Sequence, residues 1–293
     1  MEIGRNRYYY ELSGEGKDQI AITRFAGTDP TVEIPGQIEN LPVTIIGKKA
    51  FLSKKTLKKI TIPDTVKEIG DWAFAYCDEL ECVNFPDGKI AFGKAVFLEC
   101  GKLEALSVDN KSDEAAHLMA AAVKNGAYYL LDTVNVGSEE WLGKWDARMM
   151  TVLNTGDRDG YSRQVLCGEE DYGSTNLDEY MKESRRKKIR LLLLRLLYPE
   201  GLGADVRETI TDYCRMHTKG CESEETWEVI KREHGEDRSF YELFAELGCL
   251  TGENIGEILE DIGESCPEMK AFFLDFHERE GSGGDYFDGL LLD

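Results

Sequence analysis

The sequence predicts an α+β chain: a short repeat solenoid capped by an N-terminal β-hairpin, followed by an all-α domain of stacked helix hairpins. Three observations predict it. A pattern recurs at a fixed spacing between Ile34 and Leu106, two alternating segments around a glycine-rich turn precede it, and apolar residues at helical spacing follow it. The expected division is residues 1–107 for the capped repeats, 108–280 for an acidic helical domain and 281–293 for a flexible tail.

The repeat is read from Gly47-Lys-Lys-Ala-Phe51, Gly70-Asp-Trp-Ala-Phe74 and Gly93-Lys-Ala-Val-Phe97, whose glycines and phenylalanines recur every 23 residues (70−47, 93−70). Leu57, Leu80 and Leu103 keep the same spacing, as do Ile60, Val83 and Leu106, and Ile62, Phe85 and Val108. In Leu57-Lys-Lys-Ile-Thr-Ile-Pro63 the alternation predicts a short strand with Ile60 and Ile62 on one face and Lys59 and Thr61 on the other. Proline ends the strand by removing a ladder donor. Val66 and Ile69 then lead to Gly70, expected to turn with positive φ, and to the Ala73-Phe74 anchor. One unit cannot bury this apolar set, but stacked units share one core.

These residues resemble the leucine-rich repeats of the BspA type, whose units read roughly Leu-x-x-Ile-x-Ile-Pro-x-x-Val-x-x-Ile-Gly-x-x-Ala-Phe-x-x-Cys; Asp64 to Cys77 fits almost without gaps. The resemblance covers about the first third of the chain. Two departures stand out: five extra residues after Pro35, through Asn40, and Lys89 and Val96 where Val and Ala are expected. It implies a curved parallel-strand leucine-rich-repeat solenoid that binds other macromolecules and carries no catalytic residues. It names no ligand.

Ahead of the repeats, Arg7 to Leu12 and Gln19 to Arg24 flank Ser13-Gly-Glu-Gly16 and predict the capping hairpin. After them, Ser112 opens an alanine-rich helix through Lys124, and Ser138 opens another with Trp141, Trp145, Met149 and Leu153 at helical spacing. An irregular, glycine-rich loop spans Gly156–Gly173. Asn176 caps the longest helix, which ends before Pro199; its basic run Arg185–Arg190 is expected to be a solvated face. Shorter helices are expected near 205–217, 223–233, 239–247, 253–263 and 267–279, with a capping box at Ser239-Phe-Tyr-Glu242 and a C-terminal stop at Gly248. The last of them loosely resemble the helix hairpins of ankyrin-like or HEAT-like arrays, without the Thr-Pro-Leu-His signature or a fixed period. The stretch Gly281–Gly284 reads as a hinge before an acidic-hydrophobic end.

Charge is unevenly placed along the 293 residues. The net charge is −21; residues 1–106 hold 14 basic and 16 acidic side chains, and residues 107–293 hold 21 and 40, a net −19. That field repels phosphate backbones and anionic lipid, so the expected partner is a protein, one with a basic surface, and neither nucleic acid nor membrane. The first residues show no signal-peptide pattern, and eight cysteines without a Cys-x-x-Cys, two of them (Cys77, Cys100) in register, point to a cytoplasmic location.

Chemistry-bearing motifs are weak. Gly14-Glu-Gly16-Lys17 lacks the first glycine of a P-loop, and Asp157-Arg-Asp159-Gly160 has its glycine too early for an EF-hand. Cys214, His217, Cys221 and His234 follow no common zinc order, and Cys167 near Ser174 has no histidine placed beside it, so no metal and no cofactor is expected.

The expected function is a non-enzymatic protein-interaction scaffold. Its concave sheet would present Thr31, Glu33, Lys59, Thr61, Cys82, Asn84, Ala105 and Ser107, an area below the roughly 800 Å² per partner of a standard interface. The loop carboxylates Asp157, Asp159, Glu169, Glu170 and Asp171 are expected to add to it. The alternatives are an enzyme with its centre near the 156–173 loop, with no small-molecule substrate indicated, and a surface adhesin if a leader precedes Met1.

Overall fold

The computed structural model describes residues 2–3, 6–161 and 176–284. The chain divides into two compact units, Met1–Arg148 and Met149–Asp293.

In the first unit β1 (Glu2–Ile3), β2 (Asn6–Ser13) and β3 (Gln19–Phe25) form the antiparallel cap, closed by a turn in which Lys17 N–H donates to the Gly14 carbonyl at 3.2 Å. Two parallel ladders then run through the repeats. β6 (Leu41–Ile46) pairs with β3, and β8 (Glu68–Ile69) and β10 (Ala91–Phe92) follow it. The second ladder is β4 (Thr31–Glu33), β7 (Lys59–Thr61), β9 (Cys82–Phe85) and β11 (Ala105–Val108). This is the solenoid the 23-residue period predicts. The five extra residues are used locally: β5 (Gln37–Ile38) folds back on β6 through Glu39 and Asn40 at φ 53° and 62°, the double positive φ of a tight hairpin turn.

The repeat glycines serve a purpose other than the expected one. Gly47, Gly70 and Gly93 are absent from the residues with positive φ; that conformation falls two and six positions later, at Lys49, Trp72 and Ala95 and at Ser53, Tyr76 and Glu99. Glycine is required instead by close approach of successive turns. A Cβ on Gly70 would stand 2.7 Å from Lys48 N, and one on Gly47 would stand 2.8 Å from the Ile22 carbonyl oxygen.

Inside, aromatic rings form one column. Phe51, Phe74 and Phe97 stack with centroids 5.1 and 5.5 Å apart, and the cap extends the column through Phe25 (4.7 Å from Phe51) and Tyr8 (5.3 Å from Phe25). Beside it Cys77 Sγ donates to the Phe51 carbonyl at 3.1 Å and Cys100 Sγ to the Phe74 carbonyl at 3.2 Å. Burial pushes these free thiols up, to about 11 for Cys77 and about 12 for Cys100. Outside, ion pairs join residues one turn apart: Lys55 to Asp78, Lys58 to Glu81 and Lys102 to Glu79.

Helix α1 (Asp113–Lys124) packs on β11 and buries Ala115, Leu118, Met119 and Ala122; Ser112 Oγ caps it by accepting from Ala115 N–H at 3.2 Å. The strand-to-helix change expected at 107/108 therefore lies inside the first unit. A 3₁₀ turn (Tyr128–Leu130) leads to α2 (Glu139–Leu153), in which the division between the units falls. Trp141 Nε1 donates to Leu130 O at 3.0 Å and Trp145 Nε1 to Leu118 O at 2.8 Å.

In the second unit α3 (Leu177–Leu197) packs against α4 (Ala204–Met216), α5 (Glu225–Glu233) and α6 (Arg238–Glu246); α7 (Ile255–Ile262) and α8 (Pro267–Gly284) follow. Trp227, Phe244 and Phe273 meet in its core. Asn176 caps α3 and Gly248, at φ 73°, follows the end of α6, both as expected. The capping box at Ser239 is not formed. Asp237 is the cap, its carboxylate accepting from Ser239 N–H at 3.1 Å, while Glu242 bonds Arg238. Helix α8 continues through Gly284, so the stretch expected as a hinge is its last turn; the remainder of the tail lies outside the described residues.

Candidate functional site

The outward side of the β4-β7-β9-β11 sheet is set by strand alternation. Val32, Ile60, Val83 and Leu106 point into the core and are buried, so their neighbours point out. Register aligns those neighbours in two rows. Thr31, Lys59, Cys82 and Ala105 stand opposite one another in sequence, and Glu33, Thr61, Asn84 and Ser107 form the second row. Thr31, Glu33 and Lys59 are exposed and the others half-buried. Cys82 Sγ donates to Asn84 Oδ1 at 3.3 Å, and Tyr8 OH to the Glu33 carbonyl at 3.4 Å. The rows offer hydroxyl, amide, thiol and two charged groups on one ladder, which suits hydrogen bonding to a polar partner surface. All six expected repeat residues, Thr31, Glu33, Lys59, Thr61, Asn84 and Ser107, meet here.

Of the expected loop residues, Asp157 and Asp159 are described in the second unit, and their carboxylates are engaged. Asp157 accepts from Lys188 Nζ at 2.7 Å and from Arg185 at 3.3 Å. Asp159 Oδ2 accepts from Gly156 N–H at 2.8 Å, and its carbonyl from Tyr180 OH at 2.6 Å. Glu169, Glu170 and Asp171, with Cys167 and Ser174, lie outside the described residues.

The basic run is no solvated face. Arg185 pairs with Glu225, Arg186 with Glu179, Glu183 and Glu228, and Arg190 with Glu183 and Glu233. The pairs with Glu225, Glu228 and Glu233 tie α3 to α5, and those with Glu179 and Glu183 lie within α3. Glu225, with 2% of its side chain exposed, is raised by burial but lowered more by hydrogen bonds from Arg185 and Ser223, and ends below its ordinary value of 4.5. Sequence reasoning missed this network because the partners of Arg185 and Lys188 lie 28 to 40 residues away.

Among the described residues no three His, Cys, Asp or Glu side chains gather to hold a metal ion. Cys214 is buried, His217 Nδ1 lies 2.7 Å from Ser223 Oγ, and His234 stacks on Phe240 with centroids 3.6 Å apart. Burial lowers both imidazoles. Among the described residues no helix is long and apolar enough to cross a membrane.

Comparison with known proteins places these features. Residues 30–119 match the BspA type leucine rich repeat region, in 6 copies. No curated protein matches the chain. Among solved structures, the chain is similar to a leucine-rich repeat protein of T. pallidum (29% identity, TM-score 0.29, covering 33% of this chain and 45% of that one). It is also similar to a leucine rich cell surface protein of Faecalibacterium prausnitzii (30%, TM-score 0.32, covering 37% and 31%). A third is a leucine-rich repeat protein of Bacteroides capillosus (28%, TM-score 0.32, covering 39% and 89%). The chain spans less than half the length of the first two. Repeats of this family generally mediate protein–protein interaction or surface binding and are typically non-enzymatic.

Proposed function

We propose that the protein is a non-enzymatic scaffold that binds a protein partner through the outward side of the β4-β7-β9-β11 sheet. The observation that carries this reading is the pair of aligned, mostly polar rows, Thr31 to Ala105 and Glu33 to Ser107, opposite a face that is wholly core. The second half of the chain adds a net −19, which favours partners with a basic patch and steers their approach. The free thiols of Cys77 and Cys100 fit a cytoplasmic protein.

The test uses the full chain, with Asn84→Arg and Thr61→Arg placed in the middle of the rows. Capture from native lysate should lose the same bound protein with both variants and keep it with Lys17→Ala, on the cap turn. Partner capture that survives both row variants would move the interface off the sheet. The charge contribution is read separately by raising salt from 0.15 to 1 M, which shortens the field from about 8 to about 3 Å; capture unaffected by salt would leave the acidity a matter of solubility.

A further inference from the structure

Two sets of cations stand out in the repeat region of the first unit. Lys55, Lys58 and Lys102 face carboxylates one turn away. Arg24, Lys48, Lys49 and Lys54 form no ion pair among the described residues, and each lies over an aromatic ring instead. The Arg24 guanidinium carbon is 5.5 Å from the Tyr9 centroid, the Lys48 and Lys49 ammonium groups are 4.9 and 5.3 Å from that of Trp72, and Lys54 is 5.8 Å from that of Phe25.

These four cations are neighbours. Phe25 N–H donates to the Ala50 carbonyl at 2.7 Å and Lys49 N–H to the Asp71 carbonyl at 3.0 Å, so residues 24–25, 48–50 and 71–72 lie on three successive turns. The Asp71 carboxylate itself accepts from Lys94 N–H at 2.7 Å. Burial, and then repulsion from Arg24, lower the Lys54 ammonium, as cations do when gathered without an opposing carboxylate. In a chain of net −21 such a gathering is unusual, because soluble surfaces intersperse the two signs. Each ring offsets part of the repulsion, by about 0.5–1 kcal/mol per exposed cation–π contact. The rings also hold long side chains in place, so less entropy is lost when a ligand arrives. Trp72 is particular to its turn: the same left-handed position holds Lys49 one turn before and Ala95 one turn after.

The geometry points to a second binding site, on strand β3 and the connecting segments beside it rather than on the β4-β7-β9-β11 sheet, in which Arg24, Lys48, Lys49 and Lys54 take an acidic peptide segment of a partner protein. Alternate carboxylates of an extended segment stand about 7 Å apart, a spacing that successive turns about 4.8 Å apart can meet with flexible side chains. The chain's own charge selects this occupant. A nucleic acid or sulfated polysaccharide carries dense charge along its whole length and is disfavoured by the net −21 of the chain. A short acidic segment keeps its charges within the screening length of about 8 Å at physiological salt.

The probe is fluorescein-labelled hexaglutamate, titrated with the full chain and read by fluorescence anisotropy at low salt and at 1 M. Saturable binding at low salt is expected, weakened about tenfold or more by the Lys48→Glu, Lys49→Glu pair and left unchanged by Lys17→Glu. Melting followed by circular dichroism checks that the variants fold; should the charge-reversed pair unfold, Lys48→Gln with Lys49→Gln serves the same purpose. The proposal is overturned by absence of binding at low salt, or by an equal loss with Lys17→Glu, which would mean diffuse attraction. Tighter binding of a single-stranded oligonucleotide or a heparin fragment of equal charge would also overturn it, in favour of a general polyanion site.

Discussion

Lys188 Nζ stands 2.7 Å from Asp157 Oδ1 and 2.5 Å from the Thr155 carbonyl, and Lys188 keeps only 5% of its surface exposed. A helix residue expected in solvent is thus the point at which the segment 155–157 is anchored to α3. Asp157 also receives Arg185, so one carboxylate balances two buried or half-buried cations.

Removal of that carboxylate should be severe. Asp157→Ala leaves Lys188 buried without its counter-ion, and breaking one side of a buried pair costs about 3–5 kcal/mol. Asp159→Ala, which removes only a local turn contact, should cost about 1 kcal/mol or less. Urea titration of the two variants decides the matter, and similar midpoints would mean that the Asp157 pairs contribute little.

The aromatic column gives a contrast within one repeat. Phe74 is fully buried between Phe51 and Phe97, so Phe74→Ala should cost about 3–5 kcal/mol, whereas Lys59→Ala on the outward row should change stability by no more than about 0.5 kcal/mol. Equal shifts in a denaturant titration would be inconsistent with this register.

Close stacking of the turns predicts that Gly70→Ala is destabilising although its φ is ordinary. The added Cβ meets Lys48 N at 2.7 Å, a backbone atom that cannot rotate away, and overpacking of this kind costs about 1–3 kcal/mol. Glu99→Gly, at a left-handed position with φ 55°, should be neutral or stabilising. If thermal melts rank the two the other way, positive φ rather than close approach governs the glycine.

Acid should loosen the second unit in two stages. Burial lowers His217 and His234 from 6.5, so their neutral forms favour the fold at high pH and that contribution is lost as pH falls through 6.5 and below. Glu225, lowered from 4.5, contributes fully above that value and is lost as pH falls below it through its folded value. Stability measured against pH should therefore decline below 6.5 and again below 4.5, with the second decline reduced in Glu225→Gln. A flat profile between pH 7 and 5 would argue against the buried imidazoles.

What the sequence determined is what depends on local pattern. Strand alternation around Ile60 and Ile62, the 23-residue return of Phe51, Phe74 and Phe97, and the caps Ser112 and Asn176 all rest on residues within a turn or two of one another, and each appears where expected. Because register follows from that period, the rows through Thr61 and Asn84 were legible as well. Tertiary structure decided the rest. Phe25 and Tyr8 join the aromatic column from outside the period, Gly70 is set by a backbone one turn away, and the run Arg185–Arg190 is drawn into ion pairs with carboxylates as far as 28 to 43 residues distant. A charged run reads the same in sequence whether it meets water or a buried counter-ion; the difference is the desolvation that packing imposes and the partner that packing brings.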